Sequence, residues 1–416
     1  TADDRTVYEG ELMDESEHGR AIADELAADP TVPGYYLRPD YYDLLAALRR
    51  EAPVHEFMPG MRTIARYDDI REISRDPARF CSSMGALVND PMRTWERPAK
   101  APSILHMDPP DHVGFRKLVN REFTPRAIGG LEPRIRELAR TVLDRTPDTG
   151  VFDFVDLVAA PFPLLVIAEL LGIPDGDRSE FRRWSDATIE ATDKPPEETA
   201  GATGELFVYL SQHIDAKTAD PGDDVVSLLV GADLDGRGLD RGELLIFLLA
   251  LLVAGNETTR TLISGGTQVL FEHPEQRRDL VADPSLIPTA VEECLRWVTP
   301  IQAFARTVVA DTVVGGVEVK ALDYLVLLYA SGNRDEAVFG PTADRFDIRR
   351  AANPPHLAFG FGEHLCLGAA LARMETRILF EEMLARHPEY AVAGEPEWVA
   401  SSLVRGMHTM PLTWQP

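Results

Sequence analysis

The sequence predicts a mainly α protein with small β-sheets, on three observations. Helical apolar periods fill most of the chain between Tyr41 and His387. The most apolar of them runs from about Asp240 through Leu270, as a core helix would. Period-2 alternation is confined to short stretches beside turn dipeptides.

In chain order, Tyr41–Arg50 is helical. Val54–Phe57, the Pro59-Gly60 turn and Met61–Arg66 form a hairpin, and Tyr67–Arg75 returns to helix. Cys81–Pro110 has no clear period and carries several prolines and glycines, so it is a long loop of the kind that usually serves function or stays disordered. Helices follow at roughly His112–Phe123, Leu131–Arg145, Phe162–Leu171, Ser179–Glu190, Gly201–Ala219 and Asp224–Val230, and beyond the apolar helix at Pro288–Trp297. Gly315-Gly316 divides Ala305–Tyr329 into short strands, Cys366–His387 is a long amphipathic helix, and Tyr390–Trp414 is strands and turns. No repeat or linker divides the chain. The expected organisation is an N-terminal segment, 1–40, and a single domain, 41–416.

Lys and Arg number 42 against 68 Asp and Glu, a net charge of −26. That excess argues against nucleic acid, whose phosphates need a basic face, and against anionic lipid. Cys81, Cys294 and Cys366 are odd in number, far apart and without a C-x-x-C pair, which fits a reducing compartment. The acidic N-terminus has no apolar core of a signal peptide. The longest apolar run, Leu244–Gly255, is too short for a membrane span. The expected address is the cytoplasm.

Phe359-Gly-Phe-Gly-Glu-His-Leu-Cys-Leu-Gly368 is the informative segment. Cys366 opens the last helix, where free N–H groups and the helix dipole favour a thiolate. Gly360, Gly362 and Gly368 let backbone approach a large flat object. N–H groups beyond the cysteine can bond the sulfur. Zinc is excluded because only His364 and Cys366 are close and no second ligand pair has finger spacing. A dinucleotide loop is excluded because Leu365 occupies the third glycine position.

The segment resembles the cytochrome P450 haem-binding signature F-G-x-G-x-H-x-C-x-G at every specified position. The resemblance implies a cytochrome P450 fold with haem b, Cys366 as the axial ligand to iron, Phe359, Gly360 and Gly368 in the cysteine loop, and His364 on a propionate. Glu293 and Arg296 have the family's E-x-x-R spacing, one helical turn apart. With Arg345 as the third member, from the Asp344-Arg-Phe346 meander, they are expected to form a buried network steadying the loop.

Ala254-Gly-Asn-Glu-Thr-Thr259 puts an acid and hydroxyls inside the apolar helix. From the residues alone, Gly255 is a packing site and Thr258 bonds back to a carbonyl. The segment also resembles the family's oxygen-binding A-G-x-[DE]-T motif. That implies a local opening of the helix, Thr258 steadying oxygen at the iron, and Glu257 supplying protons. His112 and Arg116, at i,i+4, match positions that grip propionates, and Arg306 matches another.

The expectation is therefore a haem-thiolate monooxygenase using O2 and two electrons on a lipophilic small molecule, a terpenoid, sterol, steroid or similar secondary metabolite. Leu87, Val88, Ala250, Ala254, Ile301, Phe304 and Leu403–Met407, with Val404 and Met407 among them, correspond to the pocket. These residues hold no flavin or iron–sulfur segment, so a separate ferredoxin or flavodoxin with its reductase is the expected donor. Arg71, Arg75, Arg116, Lys117 and Arg373 are expected on the docking face. Two alternatives stay open here: a peroxide-dependent or non-oxygenating haem-thiolate enzyme, and a haem-binding protein without turnover.

Overall fold

The structure, a computed structural model, describes residues 29–98, 103–120, 123–190, 196–232 and 238–415. Residues 1–28 of the expected N-terminal segment, 99–102 of the long loop and 121–122 of the helix expected over His112–Phe123 lie outside the described residues.

Helices α1 (Tyr41–Glu51) and α2 (Tyr67–Arg75) bracket strands β1 (Val54–Met58) and β2 (Met61–Ile64). After β3 (Phe80–Cys81), the long loop carries a 3-10 turn, Ile104–His106, ahead of α3 (Asp111–Asn120). Next come α4 (Glu132–Leu143), β4 (Phe152–Asp153), α5 (Pro161–Leu170), α6 (Arg178–Glu190), α7 (Pro196–Ala219) and α8 (Val225–Val230). Helix α7 starts at Pro196, before the expected Gly201, because proline suits a first helical position, where no N–H partner is needed.

Helix α9 (Arg241–Glu272) starts at a capping box. Asp240 accepts the Glu243 N–H at 2.8 Å, and the Glu243 carboxylate accepts the Asp240 N–H at 2.9 Å. By length and composition α9 could cross a bilayer, which corrects the inference from the shorter run Leu244–Gly255. After α10 (Pro274–Ala282) comes α11 (Ile287–Val298), and α9 is instead packed against α5, α11 and α12 (Ala369–Arg386). A Cβ at Gly255 would lie 2.5 Å from Ile167, so glycine lets α5 approach. Phe115, Leu138, Phe162, Leu248, Leu262, Leu295, Leu379 and Leu412 share this core.

Strands β5 (Ala303–Val308), β6 (Thr312–Val314), β7 (Val317–Val319) and β8 (Tyr324–Leu328) follow α11. The five-stranded sheet has the order β1-β2-β8-β5-β3. Its β2–β8 pair is parallel, with Met61 opposite Tyr324, and the others are antiparallel. Pairing of Arg306 with Leu325 fixes that arginine on β5. The last strands, β9 (Tyr390–Val392), β10 (Glu397–Trp398), β11 (Met407–Thr409) and β12 (Pro411–Trp414), form small sheets, one of which recruits β4.

Candidate active site around Cys366

Phe359–Gly368 leads into α12 from a loop held on the end of α2. Gly362 has φ 75°, and a Cβ there would lie 2.0 Å from the Ser74 carbonyl oxygen. Only glycine permits that approach. The guanidinium carbons of Arg71 and Arg75 lie 4.3 and 4.6 Å from the Phe361 ring centre. Cys366 donates its N–H to the Phe359 carbonyl at 2.9 Å. It stands three residues before α12, whose N-cap is Gly368, so it does not open the helix as expected. The sulfur still meets an N–H, that of Gly368.

Cys366 is surrounded by protein yet keeps accessible surface, as a side chain lining a cavity does. Burial pushes its thiol pKa up, while the Gly368 N–H and the charges of Arg116 and Arg373 pull it down.

The fold brings His112, Arg116, Arg306 and His364 together. The rings of His112 and His364 are 4.2 Å apart. Burial lowers the His112 pKa to about 4, helped by the Arg116 charge, and lowers His364 to about 2, helped by Arg306. His364 Nε2 lies 3.1 Å from the Ser82 hydroxyl, and Asp108 accepts the Ser82 N–H at 2.8 Å. Arg306 donates to the Ala305 carbonyl at 2.7 Å, and Arg116 donates to the carbonyls of Glu363 and Leu365 and to Asn120. Among the described residues neither arginine pairs with a carboxylate. Glu363, desolvated and facing Asp108, is pushed up to about 7.

Glu293 and Arg296 are both 2% exposed and joined by two bonds of 2.7 Å. Arg296 also donates to the carbonyls of Asn333, Ala343 and Arg345. The third arginine of this network is Arg350, not Arg345: Nε of Arg350 is 3.2 Å from Glu293, whereas Arg345 is exposed and lends only its carbonyl. The turn after Asp344-Arg-Phe346 swings the side chain of Arg350 inward.

Helix α9 runs unbroken through Ala254–Thr259, so the implied local opening is absent. Thr258 donates to the Ala254 carbonyl at 2.7 Å, satisfying its hydroxyl within the intact ladder. Glu257 pairs with Arg260 one turn on, at 3.1 Å. Leu87, Ala250, Ala254, Ile301 and Phe304 keep accessible surface, and Ile301 pairs with Val404 in an isolated bridge. Val88, Val404 and Met407 are buried among the core residues, Val404 beside the accessible Ile301. Val88 belongs to the hydrophobic cluster of Tyr36, Tyr41 and Leu44, and Met407 to that of Met410 and Leu412.

Sequence reasoning missed Ser82, Asp108, Arg350 and the pair Glu292–Arg373. None has a local motif. The one available signal was the position of Glu292 beside Glu293.

The cytochrome P450 family profile matches residues 279–388. Vitamin D(3) 25-hydroxylase of Pseudonocardia autotrophica is 41% identical over 379 residues, 89% of this chain and 93% of that protein. This chain belongs to the cytochrome P450 family. Erythromycin C-12 hydroxylase of Saccharopolyspora erythraea is 37% identical over 392 residues, covering 92% of this P450 and 96% of the relative. The open structure of P450 EryK from S. erythraea superposes with a TM-score of 0.83 at 36% identity, covering 92% of this chain and 98% of that one. The P450 is thus a haem-thiolate monooxygenase, an oxidoreductase whose cofactor is haem b.

The residues present fit that group. Cys366 keeps accessible surface. Among the described residues His112 Nε2 is buried without a hydrogen-bond partner, and Arg116 and Arg306 are cations satisfied only by neutral oxygens. Two propionates would supply the missing acceptors and negative charge.

Proposed function

We propose that this P450 hydroxylates a lipophilic, weakly charged small molecule of the terpenoid, sterol or steroid kind, with electrons from a separate ferredoxin or flavodoxin and its reductase. Cys366 is the iron ligand, with Phe359, Gly360 and Gly368 around it. His112, Arg116, Arg306 and His364 hold the propionates. The carrying observation is Cys366 itself, which keeps accessible surface, meets the Gly368 N–H and lies in the field of two arginines. Glu293, Arg296 and Arg350 steady the loop. Leu87, Ala250, Ala254, Ile301, Phe304 and Val404 form an apolar pocket wall. A vitamin D(3) 25-hydroxylase and a steroid C26-monooxygenase among its relatives support the sterol and steroid part of that class. The acidic surface supports a cytoplasmic location.

When bound, haem supplies the oxygen activation and transfer. Thr258 keeps a hydroxyl on the Ala254 face of α9, and Glu257, oriented by Arg260, gains and loses the proton. Thr258→Ala is expected to keep substrate binding and reductant consumption while releasing more peroxide. Glu257→Gln is expected to slow turnover. Unchanged coupling and rate in both would remove them from catalysis. Ligation is tested by the reduced CO complex, whose red-shifted thiolate band must vanish in Cys366→Ala. Substrate class is tested by screening lipophilic compounds for haem spin-state shifts.

A further inference from the structure

Beside the cysteine loop, Glu292 and Arg373 form an ion pair that belongs to none of the motifs above. Glu292 accepts from Arg373 at both carboxylate oxygens, Oε1 from Nε at 2.5 Å and Oε2 from Nη2 at 2.9 Å. His356 Nε2 approaches Oε2 at 3.3 Å, while its Nδ1 accepts the Ala358 N–H at 3.2 Å. The Arg373 guanidinium lies 4.5 Å from the centre of the Phe359 ring, and the Phe359 carbonyl accepts the Cys366 N–H. One carboxylate on α11 therefore joins α12 to His356 and, through Arg373, to Phe359 at the start of the cysteine loop.

This geometry removes Arg373 from the free cations expected on the docking face. Its charge is already matched. Arg116, the other cation acting on the sulfur, has no carboxylate partner among the described residues.

We propose that Glu292 is a positioning residue that sets the electrostatic environment of the Cys366 ligand, by cancelling the charge of Arg373 while holding its guanidinium against Phe359. The proposal rests on Cys366 being the iron ligand. A positive charge near a metal–sulfur centre stabilises its more electron-rich, reduced state, and a negative charge does the reverse. The two halves of the pair therefore act in opposite directions. Breaking it from one side leaves a cation, and from the other an anion. A purely structural clamp would not distinguish them, since either break loosens the same loop.

The test is the reduction potential of haem-loaded protein, with the reduced CO spectrum recorded on each sample. Glu292→Gln is expected to raise the potential, Arg373→Gln to lower it, and the double variant to return near the parent value. Glu292→Asp and Arg373→Lys, which keep both charges, are expected to leave it near the parent value, so the test survives poor folding of the neutral variants. Shifts of the same sign in both neutral variants, no shift in either, or a shift in the charge-conserving pair overturns the proposal while the thiolate band persists. A parent protein without that band, or a Cys366→Ala variant that keeps it, overturns the ligand assignment instead.

Discussion

Glu375 on α12 is 1% exposed, one of its carboxyl oxygens has no hydrogen-bond partner among the described residues, and burial pushes its pKa well above the ordinary 4.5. The folded protein therefore holds a proton that the unfolded chain releases above that value. Stability falls as pH rises, by at most about 1.4 kcal/mol per pH unit. Glu375→Gln, neutral and similar in shape, is expected to raise the melting temperature at pH 8 and leave it little changed at pH 4. A gain independent of pH would show that packing, not ionisation, is responsible. The buried network gives a second contrast. Arg350→Ala removes one of the two arginines on Glu293, which keeps Arg296, and is expected to cost about 1–2 kcal/mol, whereas Arg345→Ala should stay within about 0.5 kcal/mol; urea melts measure both. At this scale Cys366 and Glu293–Arg296 are legible in the sequence because their spacing is local. Arg350 meets Glu293 across 57 residues, and the path of the meander between them decides which arginine turns inward.

Among the elements, α1, α2, the first hairpin and α9 follow closely from period and turn chemistry, because burial on one side and short local turns determine them. The junction at Cys366 does not. A continuous helical pattern hides the irregular residues before α12, which exist because the loop is bonded back to Phe359 and pressed on Ser74. Gly362→Ala is expected to displace that loop and lose most haem incorporation, since it adds a steric overlap to the roughly 1 kcal/mol of a left-handed conformation. The long loop is likewise ordered by contacts that a pattern cannot show. Asp90 accepts the N–H groups of Ala86, Leu87 and Met92 and lies 2.8 Å from His106 Nε2. His106 and the backbone N–H bonds hold the Asp90 carboxyl well below its usual range against the cost of burial. Its stabilisation is thus present above the ordinary carboxylate range and lost as pH falls through the lowered value. Asp90→Asn is expected to weaken binding of lipophilic ligands several-fold in spin-state titrations while retaining haem, because Leu87 belongs to this turn. Unchanged titrations would detach the turn from the pocket.

Over the whole molecule, a net charge of −26 repels any acidic donor, so reduction needs a local exception. Of the cations expected to provide it, Arg373 is paired with Glu292, and Arg116 is turned to the Glu363 and Leu365 carbonyls. Lys117, exposed on α3, remains with Arg71 and Arg75, and the two arginines are stacked on Phe361 of the cysteine loop with no carboxylate in ion-pair range among the described residues. Asp68, Glu72 and Asp76 lie nearby with Arg79, so the surface there is mixed, and contact with a donor must depend on the two stacked arginines individually. General repulsion extends over roughly 10 Å at 0.1 M salt, whereas a close charge pair is screened less. Salt therefore relieves the repulsion and weakens the contact at once. Arg75, exposed where Arg71 is half-buried, is the cleaner probe. Arg75→Glu is expected to slow reduction by an acidic ferredoxin about tenfold at 0.1 M salt, leaving substrate spin-state shifts and the CO spectrum unchanged. Arg373→Glu is not its equivalent, because it sets two carboxylates face to face beside Phe359. Stopped-flow reduction of Arg75→Glu across a salt series decides the matter: a parent-like rate with parent-like salt dependence would place the donor elsewhere.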